Sequence, residues 1–393
     1  MSPVIKKGFF MNRKLLEAIA TLTGCIIGAG ILGIPYVVSK AGFLTGLLNI
    51  LIIGILFLIV HLYLGEVLLR TRETHQLTGY AKKYLGNNGK IFMTLYMIFA
   101  IYGAITAYLI MSGEFLSELF AGTILGFTPL VFSIVVFSVV SLMVYFGLNV
   151  VERSELAMMF LLLGILSLLA FICIPNINLV NLNELQMKKF FIPYGVVLFA
   201  FLGEVALPEM LEEVNNEKKL LKKAIIIGSL IPIIVYIIFS FLIVGVSGGS
   251  TTENAFGGLV NFVNPIAVKI GLLMGLTTIL TSFLALGLAL KEMYIYDFKL
   301  NKNLAWFLAL FIPFLLFLLG IKNFIEILSI TGAVTGGIVG ILIVFMHRKA
   351  IKLGDKKPEF QIRSNTFIDT ILVLLFIFGI VYQVLDVLGI LAI

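Results

Sequence analysis

Residues 24–35 read GCIIGAGILGIP, with four glycines and a proline in twelve apolar positions. Glycine is a poor helix former and proline lacks the N–H that the next turn needs, so this run predicts an interrupted helix. An interrupted helix exposes backbone N–H and C=O groups. The N–H groups of Gly28, Ala29 and Gly30 suit a carboxylate, because the two glycines leave the backbone open to close approach. A second run, FLGEVALPEM (201–210), carries Gly203, Glu204 and Pro208 inside another apolar segment. A carboxylate there costs several kcal/mol if it faces lipid, at roughly 2.5–3.5 on insertion scales. Glu204 therefore faces a cavity, where it bonds a substrate ammonium or carries a coupling proton, or else it caps a broken helix end.

The segments that hold these residues define the class. Sixty per cent of the chain is hydrophobic and 12% is charged, with a mean hydropathy of +1.12. No soluble chain of 393 residues can hide that much apolar surface from water. The sequence predicts an all-α polytopic membrane protein. Apolar runs of about 20 residues, the length that crosses a bilayer, fall at 15–38, 46–69, 91–118, 128–148, 156–174, 191–211, 224–246, 264–290, 303–320, 324–346 and 367–391. The 70–90 link has room for a short interfacial helix. Cys25 and Cys173 both lie in apolar runs, with no metal-knuckle or disulfide spacing.

Lys and Arg fix the expected orientation. With the N-terminus inside, all 28 fall in inner segments except Lys40, Lys188, Lys189, Lys269 and Lys322. This positive-inside bias supports eleven spans, a cytoplasmic N-terminus and an external C-terminus. The net charge of +7 thus reports topology and gives no reason to expect a nucleic-acid partner.

The two interrupted spans are the first and the sixth. That spacing predicts an inverted repeat of five plus five helices, over 15–174 and 191–346, with 1–14 as a cytoplasmic segment and 367–391 as an added eleventh helix. The breaks then meet near the bilayer midplane. Half-helix N-termini hold an anion there, and C-terminal ends with unwound carbonyls hold a cation. An amino acid zwitterion carries both groups. Three histidines and no HExxH or GxSxG motif argue against an enzyme.

TLTGCIIGAGILGIPYVVSKAGFLTG (21–46) resembles the first helix of the amino acid/auxin permease family, within the amino acid-polyamine-organocation superfamily. It is most similar to the hydroxy and aromatic amino acid permeases, with their G-x-x-IGAG-[IM]-L-x-[IL]-P pattern followed by A-G-F. The match takes in Gly24, Ile27, Gly28, Ala29, Gly30, Leu32 and Pro35. FAFLGEVALPEM (199–210) resembles the sixth helix loosely. TSFLALGLALKEMYIYDF (281–298) resembles the eighth, where the family has S-F-L-G-x-x-L-G-L and this chain has Ala285 and Ala289 for the glycines. The resemblance implies the leucine-transporter fold and secondary amino acid transport. In sodium-coupled relatives, hydroxyls at the position of Thr281 and Ser282 join helix-one carbonyls, here those of Gly24 and Ile27, around Na⁺. Some proton-driven relatives place a lysine on helix five instead; span five has none.

The expected site is therefore the backbone of Gly28, Ala29 and Gly30, a facing wall of Phe199, Phe201 and Gly203, and Glu204. Tyr102 comes from span three. Tyr108 lies six residues on, on a different face, so at most one of the two serves. The coupling ion is read narrowly as Na⁺, at Gly24, Ile27, Thr281 and Ser282, over H⁺ at Glu204. No other cofactor and no obligate protein partner is expected, and the plasma membrane is the expected location. The competing reading is an amino-acid sensor on a transporter body, which binds without appreciable transport.

Overall fold

The computed structural model describes residues 13–123, 126–147, 155–320, 323–363 and 365–390. Among them the regular structure is entirely helical. Nine helical segments are long and apolar enough to cross a bilayer, and the bent pair Arg13–Ile26 and Gly30–Ala41 makes a tenth. Lys302–Leu318 is a further apolar helix of 17 residues. These segments occupy the eleven predicted positions in order.

The first span is α1 (Arg13–Ile26) and α2 (Gly30–Ala41), bent by 54° across residues 27–29. The second is α3 (Phe43–Arg70). The third, α4 (Leu77–Leu119), turns at Gly86, whose φ of 75° only glycine adopts cheaply. Its first stretch buries Leu77, Tyr80, Ala81 and Tyr84 and exposes Lys82 and Lys83. This is the short helix expected in the 70–90 link. α5 (Pro129–Phe146) and α6 (Glu155–Cys173) follow.

The sixth span breaks as the sequence implies, with one difference. α7 (Tyr194–Ala200) stops before Gly203, a 3₁₀ turn covers Glu204–Ala206, and α8 (Leu207–Val214) then begins. Pro208 stands in the first turn of α8, where its missing N–H costs nothing. It starts the second half-helix and is not part of the interruption. α9 (Lys219–Ser247), α10 (Pro265–Phe298) and α11 (Lys302–Leu318) come next.

The tenth span holds a feature with no sequence expectation. α12 (Phe324–Thr331) passes through a five-residue π-helical stretch, Gly332–Gly336, into α13 (Gly337–Leu353). A Cβ on Gly332 would lie 2.6 Å from the Phe199 backbone nitrogen, so α7 seats directly against this wider turn. α14 (Thr366–Val387) closes the described chain.

Burial ranks the spans. In their most apolar windows, Tyr194–Val214 is 83% buried and Leu77–Leu119 is 72% buried, against 22% for Met159–Asn176 and 28% for Thr366–Val387. The broken sixth span and α4 are thus central, while α6 and α14 are peripheral. The start of α1 and the α3–α4, α8–α9, α10–α11 and α13–α14 links share one side of the bundle and carry most of the lysines and arginines; it is called the basic face below.

Candidate functional site

A cavity of about 60 Å³ lies between the two breaks. Gly28 and Gly30 border it from the first, and Phe199, Ala200, Leu202 and Glu204 from the second. The third wall is one face of α4, formed by Tyr96, Ala100, Ala104 and Tyr108 with Met97 and Ile101 beside them.

At the first break the chain leaves the helix within three residues. Ile27 N–H still reaches the Thr23 carbonyl (2.8 Å), but Gly28 N–H folds back on Ile26 (2.8 Å). The Ile31 and Leu32 N–H groups then close short turns onto the carbonyls of Gly28 and Ala29, at 3.4 and 3.0 Å. Gly28 N–H is therefore spent inside the break. Helix geometry assigns the N–H groups of Ala29 and Gly30 to the tip of α2.

Glu204 is fully buried. Its Oε2 accepts the Gly203 N–H at 3.1 Å, inside the break and ahead of α8. Its Oε1 has no hydrogen-bond partner among the described residues, and the residue borders the cavity. A buried oxygen left without a partner costs about 1–3 kcal/mol, more when charged, so this atom is poised for a donor.

A residue with no sequence expectation joins the two breaks. The Tyr236 hydroxyl on α9 lies 2.8 Å from the Ile26 carbonyl and 2.7 Å from the Ala200 carbonyl. These are the last residues of α1 and α7. One hydroxyl proton faces two acceptors, so the pair of carbonyls has room for a further donor.

A larger cavity of about 200 Å³ adjoins the first and shares Cys25, Tyr108, Val205 and Leu286 with it. Gly24, Ile27, Thr281 and Ser282 all border this second cavity. Thr281 donates to its own helix, at the carbonyls of Thr277 (3.1 Å) and Thr278 (3.0 Å), which leaves hydroxyl lone pairs available. Ser282 and Tyr108 border this cavity together, with both hydroxyls against Gly28. A third cavity of about 330 Å³ shares Val205, Glu209, Ala285 and Ala289 with the second and extends to Gln76 and Asp297 at the basic face. The three form a passage from the breaks to that face.

The structure redistributes several expected residues. Tyr102 borders none of these cavities; its hydroxyl donates to the Leu308 carbonyl (2.7 Å) and meets Tyr294 (3.1 Å). Tyr108 takes the place expected for it. Phe201 turns away and packs its ring on Tyr236, centroids 5.1 Å apart. Ala29 is fully buried and does not border the cavity. Gly203 is a packing contact, since a Cβ there would run into the Ile26 side chain. The four-residue spacing of Tyr96, Ala100, Ala104 and Tyr108 is legible in sequence as one helical face, and it is the signal that selects Tyr108. Tyr236 has no such signal.

A family model for the tryptophan/tyrosine permease family matches residues 11–385. Glutamine transporter 2 of Aliivibrio fischeri is 23% identical over 371 residues, covering 92% of this chain and 94% of that protein. Tyrosine-specific transport system 1 of Haemophilus influenzae is 27% identical over 301 residues, covering 71% of this chain and 72% of its own. Among solved structures, that of MhsT in complex with L-phenylalanine superposes with a TM-score of 0.65 at 17% identity, covering 94% of this chain and 99% of that one. The fold is that of the leucine transporter, as the paired breaks imply.

Proposed function

The chain belongs to the tryptophan/tyrosine permease family, and from that premise we propose that it is a secondary active transporter of amino acids, cation-coupled and working by alternating access. The observation that carries this reading is the cavity between two broken helices, bordered at once by the tip of α2 and by the orphaned Oε1 of Glu204. The substrate carboxylate meets the N–H of Gly30 at the tip of α2, the cavity-lining end of that helix, where the helix end favours negative charge. The ammonium lies between Glu204 Oε1 and the Ile26 and Ala200 carbonyls, whose shared Tyr236 proton leaves acceptor capacity. The small residues Ala100 and Ala104 make room for the side chain.

Na⁺ is the coupling ion in this proposal. The carbonyls of Gly24 and Ile27 and the hydroxyls of Thr281 and Ser282 border one cavity, and a hard cation takes oxygen ligands of this kind. The unpartnered Glu204 oxygen favours the second reading, coupling to H⁺. The basic face is cytoplasmic by the distribution of Lys and Arg, in the plasma membrane, and the passage runs from the site to the cytoplasm. The test is uptake of a labelled amino-acid mixture into proteoliposomes, with Na⁺ and pH gradients imposed separately. Gradient-driven accumulation supports transport. Saturable binding without accumulation under either gradient favours a sensor and overturns it.

A further inference from the structure

Residues 354–363, between α13 and α14, run as a non-helical strap across the basic face. At one end Asp355 N–H donates to the Arg70 carbonyl (2.8 Å). The Asp355 carboxylate accepts the Arg72 N–H (2.9 Å) and pairs with Lys83 on the first stretch of α4. At the other end Phe360 is buried against Gly65 of α3, and Ile362 N–H donates to Glu66 Oε2 at 2.6 Å.

Glu66 is fully buried and holds three donors. Arg70 reaches Oε1 at 2.8 Å, while His347 Nε2 and Ile362 N–H share Oε2, the former at 3.1 Å. The His347 ring stacks on Tyr63 at 4.0 Å, and the Tyr63 hydroxyl donates to Asp369 of α14 (2.8 Å), which also holds Arg348 (2.7 Å). This network borders none of the cavities that form the passage. A buried carboxylate with this many donors fixes its neighbours strongly, since losing any one leaves a charge short of partners.

The strap also spans two groups of helices. α1, α3 and α9 pack as one: Thr23 donates to the Gly228 carbonyl (3.3 Å), and Gly54 and Gly65 of α3 are seated on Ile233 and Ile225. α4 and α10 pack as another, through Thr78 to Asp297 (2.5 Å) and Tyr102 to Tyr294 (3.1 Å). The passage to the basic face lies between them, with Thr23 and Gly24 on one side and Thr281 and Ala289 on the other. Gly24 is exposed, and the linked cavities run on from it to Gln76 and Asp297 at the basic face. The strap grips the first group at Glu66 and Gly65 and the second at Lys83.

We propose that the 354–363 strap is a latch that holds the two helix groups in the arrangement with the passage open to the basic face. Closing that passage shifts one group against the other and stretches the Lys83–Asp355 link or the Glu66–Ile362 link. Contacts made in one state and lost in the other bias the equilibrium toward the first. The latch goes beyond the transport reading and rests on it only in supposing two access states.

The test places a cysteine in the passage, Ala289→Cys, in a chain with Cys25→Ser and Cys173→Ser. Its alkylation by a membrane-impermeant maleimide is timed in nanodiscs without substrate, so the readout does not depend on what is carried. Releasing the strap by Asp355→Ala should slow labelling at least threefold, and Phe360→Ala should slow it further. Asp355 is on the surface, so its variant folds even where Phe360→Ala does not. An unchanged or faster labelling rate in Asp355→Ala overturns the latch.

Discussion

Gly30 and Ala200 meet backbone to backbone: a Cβ built on Gly30 would lie 2.7 Å from the Ala200 Cα and 2.8 Å from its Cβ. The two half-helices α2 and α7 thus touch at the cavity rim, and the glycine is required for their approach as well as for access to the N–H groups.

Gly30→Leu accordingly removes binding by displacing α7, and also lowers stability by more than the 1–3 kcal/mol typical of overpacking. Gly28 separates the two effects. A methyl there meets only side-chain ends, Ser282 Oγ at 3.2 Å and the Tyr108 hydroxyl at 3.3 Å. Gly28→Ala should raise the substrate concentration for half-maximal uptake about tenfold, equivalent to ~1.4 kcal/mol, with little change in melting temperature. Paired uptake and thermal-melt measurements check this; normal uptake by Gly28→Ala would place the carboxylate elsewhere.

Tyr102 and Tyr108 should separate cleanly. Tyr108→Phe removes a hydroxyl at the junction of the first and second cavities and should weaken substrate binding severalfold. Tyr102→Phe breaks bonds to Leu308 and Tyr294 and should lower the melting temperature while leaving half-saturation unchanged. Substrate binding by calorimetry on both purified variants decides between them.

Tyr236→Phe keeps the ring on Phe201 and loses the donor shared by Ile26 and Ala200. Two buried carbonyls then lack it, at a cost of about 1–3 kcal/mol. The melting temperature should fall, and added substrate should recover a larger part of the loss than it adds to the unaltered protein. Equal substrate-induced shifts in the two proteins would remove Tyr236 from the site.

The coupling ion is tested by opposed variants. With Na⁺ as the driver, Thr281→Ala with Ser282→Ala should raise the Na⁺ concentration for half-maximal uptake tenfold or more, and Glu204→Gln should keep Na⁺ dependence. With H⁺ as the driver, Glu204→Gln should abolish accumulation under a pH gradient while exchange persists. Uptake that ignores Na⁺ and follows an imposed pH gradient assigns coupling to Glu204.

The sequence by itself determined the number and order of the apolar spans, because each must satisfy its own backbone in lipid and long enough apolar runs have few other fates. It also located both breaks, at Gly28 and at Gly203–Glu204, since glycine at these points removes local support for the helix. The basic links between spans were legible because lysine and arginine are costly in lipid and collect at the ends of the spans. The facing of individual side chains was not. Tyr102 and Tyr108 share one helix, and which of them borders the cavity depends on how α4 is rotated against α10 and α11. Gly30 reads as a binding glycine until Ala200, 170 positions away in the chain, is seen pressed against it. Tyr236 and the Glu66–His347 pair carry no local pattern at all. Their partners come from helices remote in sequence, and only close packing of the whole bundle brings a lone hydroxyl between two helix ends or a carboxylate beneath the strap.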